Sequence, residues 1–201
     1  MSTGKIIVIV GIPGVGKTSV INYAVDKLAK EGYSSIVVNY GTVMLEEAMK
    51  KGLVNNRDEI RRLDVEKQME LQRMAAERIN ELSKKYDVLI LDTHLFIKTK
   101  RGRWPGLNNN NLPYLPNIRQ IILIEAEPEE IYSRRMRDQN RYRADYGGLN
   151  EIKEDLTYNR AFSASVSVLT NSPIYIINNK EGGLEAAGEE LYNIIKEVIS
   201  E

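Results

Sequence analysis

The stretch Gly11-Ile12-Pro13-Gly14-Val15-Gly16-Lys17-Thr18 decides how the rest of the chain is organised. It follows the apolar run 6–10 and precedes a helical pattern that extends from Ser19 to Lys30. A strand, a glycine-rich turn that ends in Lys-Thr and a helix together form a phosphate-binding loop, or P-loop. Glycines allow backbone N–H groups to converge on a polyphosphate, and the start of the helix adds partial positive charge. We therefore predict that this motif, with Ser19 after it, binds the phosphates of a nucleoside triphosphate.

Two side chains of the motif have specific roles in such a loop, and a third residue lies further along the chain. Lys17 is expected to reach the β- and γ-phosphates, and the Thr18 hydroxyl to bind Mg²⁺. Asp92 ends the apolar run 88–92, as the acid that holds Mg²⁺ in P-loop enzymes does. The alternatives are a glycine turn that binds no ligand and an aspartate that only forms a turn. The Lys-Thr ending and the order of the two motifs favour nucleotide and metal binding.

Composition excludes several other classes of protein. The 201 residues carry 28 basic and 28 acidic side chains, no cysteine and one histidine. Disulfides, thiolate chemistry and a His/Cys zinc site are therefore excluded. The zero net charge argues against binding to nucleic acid or a membrane surface. No apolar run approaches the length of a membrane span or a signal sequence, so we expect a cytoplasmic protein.

Short apolar runs alternate with helical patterns along the chain, and this order predicts a single α/β domain over residues 1–201. The predicted strands are 6–10, 35–39, 88–92, 121–124 and 174–177. The predicted helices are 19–30, 42–51, 58–85, one that begins at Pro128, one from the N-cap Asn150 to 170, and 184–199. The stretch 93–117, rich in proline and asparagine, is expected to be irregular.

An arginine-rich segment follows the helix at Pro128. Residues 134–143 include Arg134, Arg135, Arg137, Arg141 and Arg143. Arginine binds phosphate oxygens in a two-pronged fashion, and a segment of this kind suits a lid that closes over a triphosphate. The alternatives are a solvated charged helix face and an RNA-binding patch, and the balanced net charge opposes the second.

Two further positions are candidates for contact with a substrate. Arg57 begins the predicted long helix and would hold an acceptor phosphate, with Arg61 one turn further on the same face. Capping by Asp58 together with surface salt bridges explains these residues equally well. His94 lies two residues after Asp92, on the same side of the strand end, and would touch substrate or orient Asp92. A histidine that simply belongs to a loop is the alternative.

Taken together, these motifs resemble those of the archaeal-type adenylate kinases over essentially the whole chain. The resemblance is carried by the P-loop, Asn39-Tyr40-Gly41, Arg57-Asp58-Glu59-Ile60-Arg61-Arg62-Leu63, Val65-Glu66-Lys67-Gln68, Asp92-Thr93-His94, Pro105-Gly106-Leu107 and the arginine pattern from Arg134 to Arg143. Two positions depart from the family pattern. Thr42 bears on acceptor specificity, and the run Asn108–Asn111 bears on a subunit contact rather than on chemistry.

The resemblance implies a nucleoside monophosphate kinase: a three-layer P-loop NTPase fold with a five-stranded parallel sheet flanked by helices. It implies an acceptor-binding segment near 40–85, a short lid near 137–149, and the reaction MgATP + AMP ⇌ 2 ADP in a cytoplasmic homotrimer. The implied AMP site comprises Asn39, Tyr40, Gly41, Arg57, Arg61, His94, Lys98 and Arg160. The implied catalytic residues are Lys17, Arg134, Arg137, Arg141 and Arg143, with Arg160 also closing over the transferring phosphoryl group.

Two other functions remain open from the sequence. One is a kinase for a different nucleoside monophosphate, which a screen of acceptors would identify. The other is a binding switch that hydrolyses ATP slowly and acts through partners. Added AMP would not increase ADP formation by such a switch.

Overall fold

The computed structural model describes residues 4–99, 101–137 and 147–201. The strands are β1 (Ile6–Val10), β2 (Ser35–Asn39), β3 (Val88–Asp92), β4 (Phe96–Thr99), β5 (Gly102–Pro105), β6 (Ile118–Glu125) and β7 (Ile174–Asn178). The helices are α1 (Lys17–Lys30), α2 (Tyr40–Lys50), α3 (Arg57–Ile60), α4 (Val65–Ser83), α5 (Pro128–Arg137), α6 (Leu149–Thr170) and α7 (Leu184–Ser200), with a 3-10 turn at Leu112–Tyr114. Within these ranges, no helix is both long and apolar enough to cross a bilayer.

Five parallel strands form the main sheet, in the order β2-β3-β1-β6-β7. The central strand β1 pairs with β3, where Ile6 lies opposite Leu89, and with β6, where Val10 lies opposite Leu123. This confirms the predicted α/β class and its five-stranded parallel sheet. The carboxyl ends of all five strands meet at one edge, which is where ligands bind in open α/β sheets.

The core lies on both faces of the sheet. Ile7 and Ile9 of β1 pack into a cluster that includes residues of α1 and α7. Ile6, Val8 and Val10 point to the other face and pack into a second cluster with residues of α2, α4 and α6. Burial of a parallel strand on both faces explains why the first strand is a continuous apolar run.

The predicted single helix over 58–85 is wrong, because the chain forms two helices there. Helix α3 ends at Ile60 and α4 begins at Val65. Asp64 caps α4 by accepting a hydrogen bond from the Lys67 backbone N–H at 2.8 Å. This cap satisfies an otherwise unpaired donor and sets the start of the second helix. Apolar residues recur at helical spacing on both sides of the break, so the sequence alone did not indicate it.

The stretch 93–117, expected to be irregular, contains a β-hairpin. Strands β4 and β5 pair antiparallel, with Ile97 opposite Trp104. Charged residues in this short run obscured the strand pattern. Arg103 fastens the hairpin to α6 by hydrogen bonds to Glu154 (2.8 Å) and Asp155 (3.2 Å).

The N-cap predicted at Asn150 is wrong, because α6 begins at Leu149 and Gly148 precedes it. Asn150 therefore lies within the helix.

Three asparagines of the run 108–111 make hydrogen bonds within the chain. Asn111 is fully buried and donates from Nδ2 to the carbonyl of Gly106 at 2.8 Å. Asn108 donates its backbone N–H to Oδ1 of Asn111 at 2.9 Å. Asn110 donates from Nδ2 to the carbonyl of Met69 on α4 at 2.8 Å. The asparagines therefore close a loop onto α4.

Candidate active site

The P-loop connects β1 to α1 through a turn that requires glycine. Gly14 has a φ of 95° and Gly16 a φ of 83°, in the left-handed region that L side chains rarely adopt. A Cβ on Gly16 would also lie 2.4 Å from Nδ2 of Asn179. Directly after Gly16, the first N–H groups of α1 have no helical acceptors and are available to an anion. In the loop, Gly11, Ile12 and Val15 are buried, whereas Pro13, Thr18 and Ser19 are exposed.

Three donors from distant parts of the chain hold the carbonyl oxygens of the P-loop. Asn179, just after β7, donates from Nδ2 to the carbonyl of Val15 at 2.8 Å. Arg135 on α5 donates from Nε to the carbonyl of Pro13 at 2.7 Å, and Arg134 donates from Nη1 to that of Val15 at 3.3 Å. The carbonyl oxygens carry partial negative charge that would repel a phosphate. Hydrogen bonds from the three donors offset this charge.

Two of these donors were not predicted from the sequence. Asn179 and Arg135 are each only 5% exposed, as expected of groups that support a loop from inside the protein. Arg135 was part of the arginine-rich segment but was not selected from it. The only signal for Asn179 was its position directly after the last predicted strand.

A continuous chain of polar contacts runs from the P-loop to α3. The Lys17 ammonium forms an ion pair with Oδ1 of Asp92. Asn39 donates from Nδ2 to Oδ2 of Asp92 at 3.2 Å, and its own Oδ1 accepts from Nη2 of Arg57 at 3.0 Å. Residues selected for phosphate, metal and acceptor binding are thus brought together at the carboxyl ends of β2 and β3.

The donor set suits Mg²⁺. Thr18 presents an exposed hydroxyl at the start of α1, and the Asp92 carboxylate is half-buried at the end of β3. Oxygen atoms of this type are the ligands that Mg²⁺ prefers. In the described part of the chain, no group of three or more Asp, Glu, His or Cys residues could hold a metal by itself. This agrees with the usual behaviour of Mg²⁺, which takes most of its ligands from water and substrate phosphates.

Gly41 and Arg57 fit together closely at the start of α2. A Cβ on Gly41 would lie 2.2 Å from Nη2 of Arg57, so only glycine lets the guanidinium lie there. Asn39 caps the same helix by accepting the Thr42 backbone N–H at 3.1 Å. One asparagine side chain therefore orders the helix start and orients Arg57.

The structure gives the other residues of the predicted AMP site different environments. The Tyr40 side chain is buried in the core and its hydroxyl donates to the carbonyl of Gln72 at 2.5 Å, so only its backbone is available to a ligand. Burial raises the pKa of this phenol. Arg61 lies exposed directly after α3 and still in helical backbone conformation, so it stays one turn from Arg57 although the long helix is broken. His94 is exposed two residues beyond the end of β3.

Lys98 lies on the β4–β5 hairpin and is paired with α6. Its ammonium contacts Oδ2 of Asp155 at 2.7 Å and also Oε1 of Glu151. Burial by itself lowers the pKa of Lys98, but the hydrogen bonds to Asp155 and Glu151 outweigh burial and raise it. In this structure Lys98 therefore fastens the hairpin, together with Arg103.

The predicted lid is described only at its edges. Arg134 and Arg137 on α5 contact the two carboxylate oxygens of Glu181, at 3.3 and 3.1 Å. Hydrogen bonds from Arg137 and then from Arg134 lower the pKa of Glu181. Arg141 and Arg143 lie outside the described residues, as do positions 138–146 of the predicted lid.

Arg160 reaches from α6 to the end of β6. Its Nε and Nη2 donate to Oε1 and Oε2 of Glu125 at 2.9 and 2.5 Å. Glu125 is only 3% exposed, and its hydrogen bond raises the pKa of the Arg160 guanidinium. The predicted strand stopped at Ile124, so Glu125 was missed.

Comparison with known proteins first defines the class. Residues 10–153 match a family model described as an AAA domain. The fold is shared with shikimate kinase from Bacteroides thetaiotaomicron, at TM-score 0.56 and 12% identity over 96% of this chain and 98% of that one. The enzyme from Acinetobacter baumannii gives TM-score 0.56 and 16% identity over 97% and 94%. The sheet, the loop and these matches define a P-loop nucleotide-binding fold.

Sequence relatives then define the family. The chain is 42% identical to adenylate kinase from Methanocaldococcus jannaschii over 96% of this chain and 98% of the relative. It is 44% identical to adenylate kinase from Methanopyrus kandleri over 96% and 98%, and 42% identical to that of Saccharolobus solfataricus over 94% and 98%. The chain belongs to the adenylate kinase family, which confirms the resemblance found from its motifs.

Proposed function

We propose that this enzyme catalyses reversible phosphoryl transfer from MgATP to AMP, giving two molecules of ADP. The observation that carries this proposal is the unbroken chain of contacts from Lys17 through Asp92 and Asn39 to Arg57. It joins a P-loop at one end to an arginine at the other. This arrangement supports two phosphate-bearing ligands that face each other across one cleft.

In this proposal, one nucleotide binds at each end of this series of polar contacts. The P-loop, from Gly11 to Ser19, binds the ATP phosphates, and Arg57 binds the phosphate of AMP. Thr18 and Asp92 would hold Mg²⁺, which neutralises charge on the phosphate oxygens when it is bound. The acceptor phosphate is already an anion, so the reaction needs alignment and charge stabilisation rather than a general base.

The arginines of α5 are proposed to act on the transferring group. Arg134 and Arg137, paired with Glu181 here, would exchange this carboxylate for phosphate oxygens when a lid near 137–149 closes. Arg141, Arg143 and Arg160 would complete the set. Closure excludes water, which strengthens the attraction between arginine and the phosphoryl group and prevents its loss to hydrolysis.

The experiment that tests the proposal is ADP formation from MgATP with each nucleoside monophosphate in turn. We expect AMP to be the best acceptor, and ADP formation to depend on it. A faster reaction with another monophosphate would identify a different kinase and would implicate Thr42 in acceptor choice. ADP release that does not respond to any acceptor would indicate the binding switch.

Arg57→Ala is expected to raise the KM for AMP by about 10–100-fold and to leave the KM for ATP nearly unchanged. A hydrogen bond to a charged group contributes about 1.5–3 kcal/mol, which corresponds to this range. Steady-state kinetics in both substrates measures the effect. Arg62→Ala, at an exposed arginine just after α3, is the matched control and should leave both KM values unchanged. Arg61→Ala is a further variant, and an unchanged KM for AMP would remove Arg61 from the site. Equal changes in both KM values for Arg57→Ala would contradict the acceptor role.

A homotrimer and a cytoplasmic location are proposed from the family resemblance. Exposed apolar side chains are available for self-association: Val168 and Leu169 on α6 are 79% and 56% exposed, and Ile174 and Ile176 of the edge strand β7 are 37% and 38% exposed. Light scattering at micromolar concentration is expected to give about three times the 22.9 kDa mass of one chain. A mass of one chain would contradict the trimer.

A further inference from the structure

We propose that Glu125 is a positioning residue that holds the Arg160 guanidinium at the carboxyl end of β6, in the orientation in which it meets the transferring phosphoryl group. This inference rests on the proposed function. It gives a function to a buried carboxylate that lies outside the sequence motifs and is not one of the phosphate-binding residues.

The position of Glu125 places it next to the nucleotide loop. It is the last residue of β6, and β6 pairs with β1 up to Leu123 opposite Val10. The carbonyl of Ile124 approaches Gly11 so closely that a Cβ there would lie 2.8 Å from it. The carboxylate at the next residue therefore lies at the edge of the sheet where the P-loop begins.

The contact between Glu125 and Arg160 leaves part of the guanidinium free. Only the Nε and Nη2 edge of Arg160 faces Glu125, at 2.9 and 2.5 Å. A guanidinium has five N–H donors in a rigid plane, so fixing one edge also fixes the direction of the other. In the described residues Nη1 has no hydrogen-bond acceptor, and the Arg160 side chain is 60% exposed. The free edge is therefore oriented and accessible to an anion.

The backbone of Glu125 also connects it to the P-loop. Its carbonyl accepts the Asn179 backbone N–H at 2.8 Å. The side chain of Asn179 donates to the carbonyl of Val15 at 2.8 Å. One residue at the end of β6 thus fixes Arg160 through its side chain and the P-loop through its backbone. Arg160 and the P-loop are therefore connected through only two residues, Glu125 and Asn179.

A buried carboxylate is not needed merely to join α6 to the sheet. Desolvation of a carboxylate costs several kcal/mol, and well-packed apolar residues often replace buried ion pairs without loss of stability. Orientation of a cation toward a reacting group does require the carboxylate. The two roles differ in their effect on kcat, which allows an experiment to separate them.

The test is a double-variant cycle with Glu125→Gln and Arg160→Ala, measured by kcat, both KM values and thermal unfolding. Glutamine keeps the size of the side chain and removes its charge. We expect Glu125→Gln to lower kcat by roughly 10–100-fold with little change in the KM for ATP, because the free edge of Arg160 is no longer aligned. In the Arg160→Ala background, Glu125→Gln should have little further effect on kcat. The matched control is Glu127→Gln, an exposed glutamate near the same strand end, which should keep the wild-type kcat.

The outcomes separate failure of this inference from failure of the proposed function. Absence of AMP-dependent ADP formation by the wild-type enzyme would overturn the function itself. Two results would overturn only the positioning role. One is a Glu125→Gln variant with normal kcat beside a slow Arg160→Ala variant. The other is a double variant in which kcat falls by the product of the two single effects. If Glu125→Gln does not fold, Arg160→Lys provides the test, since it keeps a cation without the fork. A wild-type kcat in Arg160→Lys would also overturn the proposal.

Discussion

Lys17→Ala is expected to lower kcat by about 10²–10³-fold while the protein keeps its fold. The Lys17 side chain is only 10% exposed and its ammonium is paired with Asp92. A cation in such a partly desolvated site interacts more strongly with phosphate charge than it would in water. In the proposed reaction, the charge of Lys17 stays with the β- and γ-phosphates as the bond between them breaks. Removal of Lys17 therefore affects the transition state more than it affects nucleotide binding.

The measurement for Lys17→Ala is steady-state turnover with saturating AMP, together with circular dichroism. Lys30→Ala is the matched control, because Lys30 is an exposed lysine at the other end of the same helix. We expect this control to retain the wild-type kcat. A Lys17→Ala variant with normal turnover and an intact spectrum would remove Lys17 from the phosphate site.

Gly16→Ala is expected to lower kcat/KM for ATP by about 10²-fold or more. The left-handed conformation costs an L residue about 1–2 kcal/mol. The new Cβ would also lie 2.4 Å from Nδ2 of Asn179, the group that holds the carbonyl of Val15. Either Asn179 or the loop must move. A displacement of about 1 Å is enough to cost about 10²-fold in rate.

Gly32→Ala separates backbone strain from disruption of the loop. Gly32 has a φ of 86°, close to that of Gly16, and a Cβ there would meet no atom within 4 Å. We expect Gly32→Ala to lower the thermal midpoint and to leave kcat/KM for ATP unchanged. Thermal unfolding and initial rates of both variants provide the comparison. Equal losses of activity in the two variants would show that strain alone accounts for the effect.

Local sequence was sufficient to predict the features that depend on neighbouring residues. A buried parallel strand is a short apolar run, and the P-loop needs its glycines and Lys-Thr at fixed spacing, so both were visible directly. Asp92 was also predictable, because it ends such a run. The shared sheet edge then followed from the parallel arrangement, which brings Asn39 beside Asp92.

Features that depend on distant residues could not be predicted in this way. Asn179 supports the P-loop from just after the last strand, and Glu125 meets Arg160 across the interface of β6 and α6. Neither contact leaves a periodic pattern in the sequence. The β4–β5 hairpin was missed because its position is set by the ion pairs of Lys98 and Arg103 with α6, not by an apolar alternation. Long-range pairing, rather than local propensity, determined these features.

The central position of β1 has a consequence for synthesis of the protein on the ribosome. The strand is made first, yet its neighbours contain Leu89 and Ile118, far along the chain. Its five apolar residues therefore emerge with both backbone edges unpaired, a state prone to aggregation until later segments arrive. Arg135 and Asn179, which hold the P-loop, emerge later still. A growing chain thus carries the full P-loop motif long before it can hold that motif in its working shape, and a bound nucleotide can contribute to stability only after Asn179 has emerged.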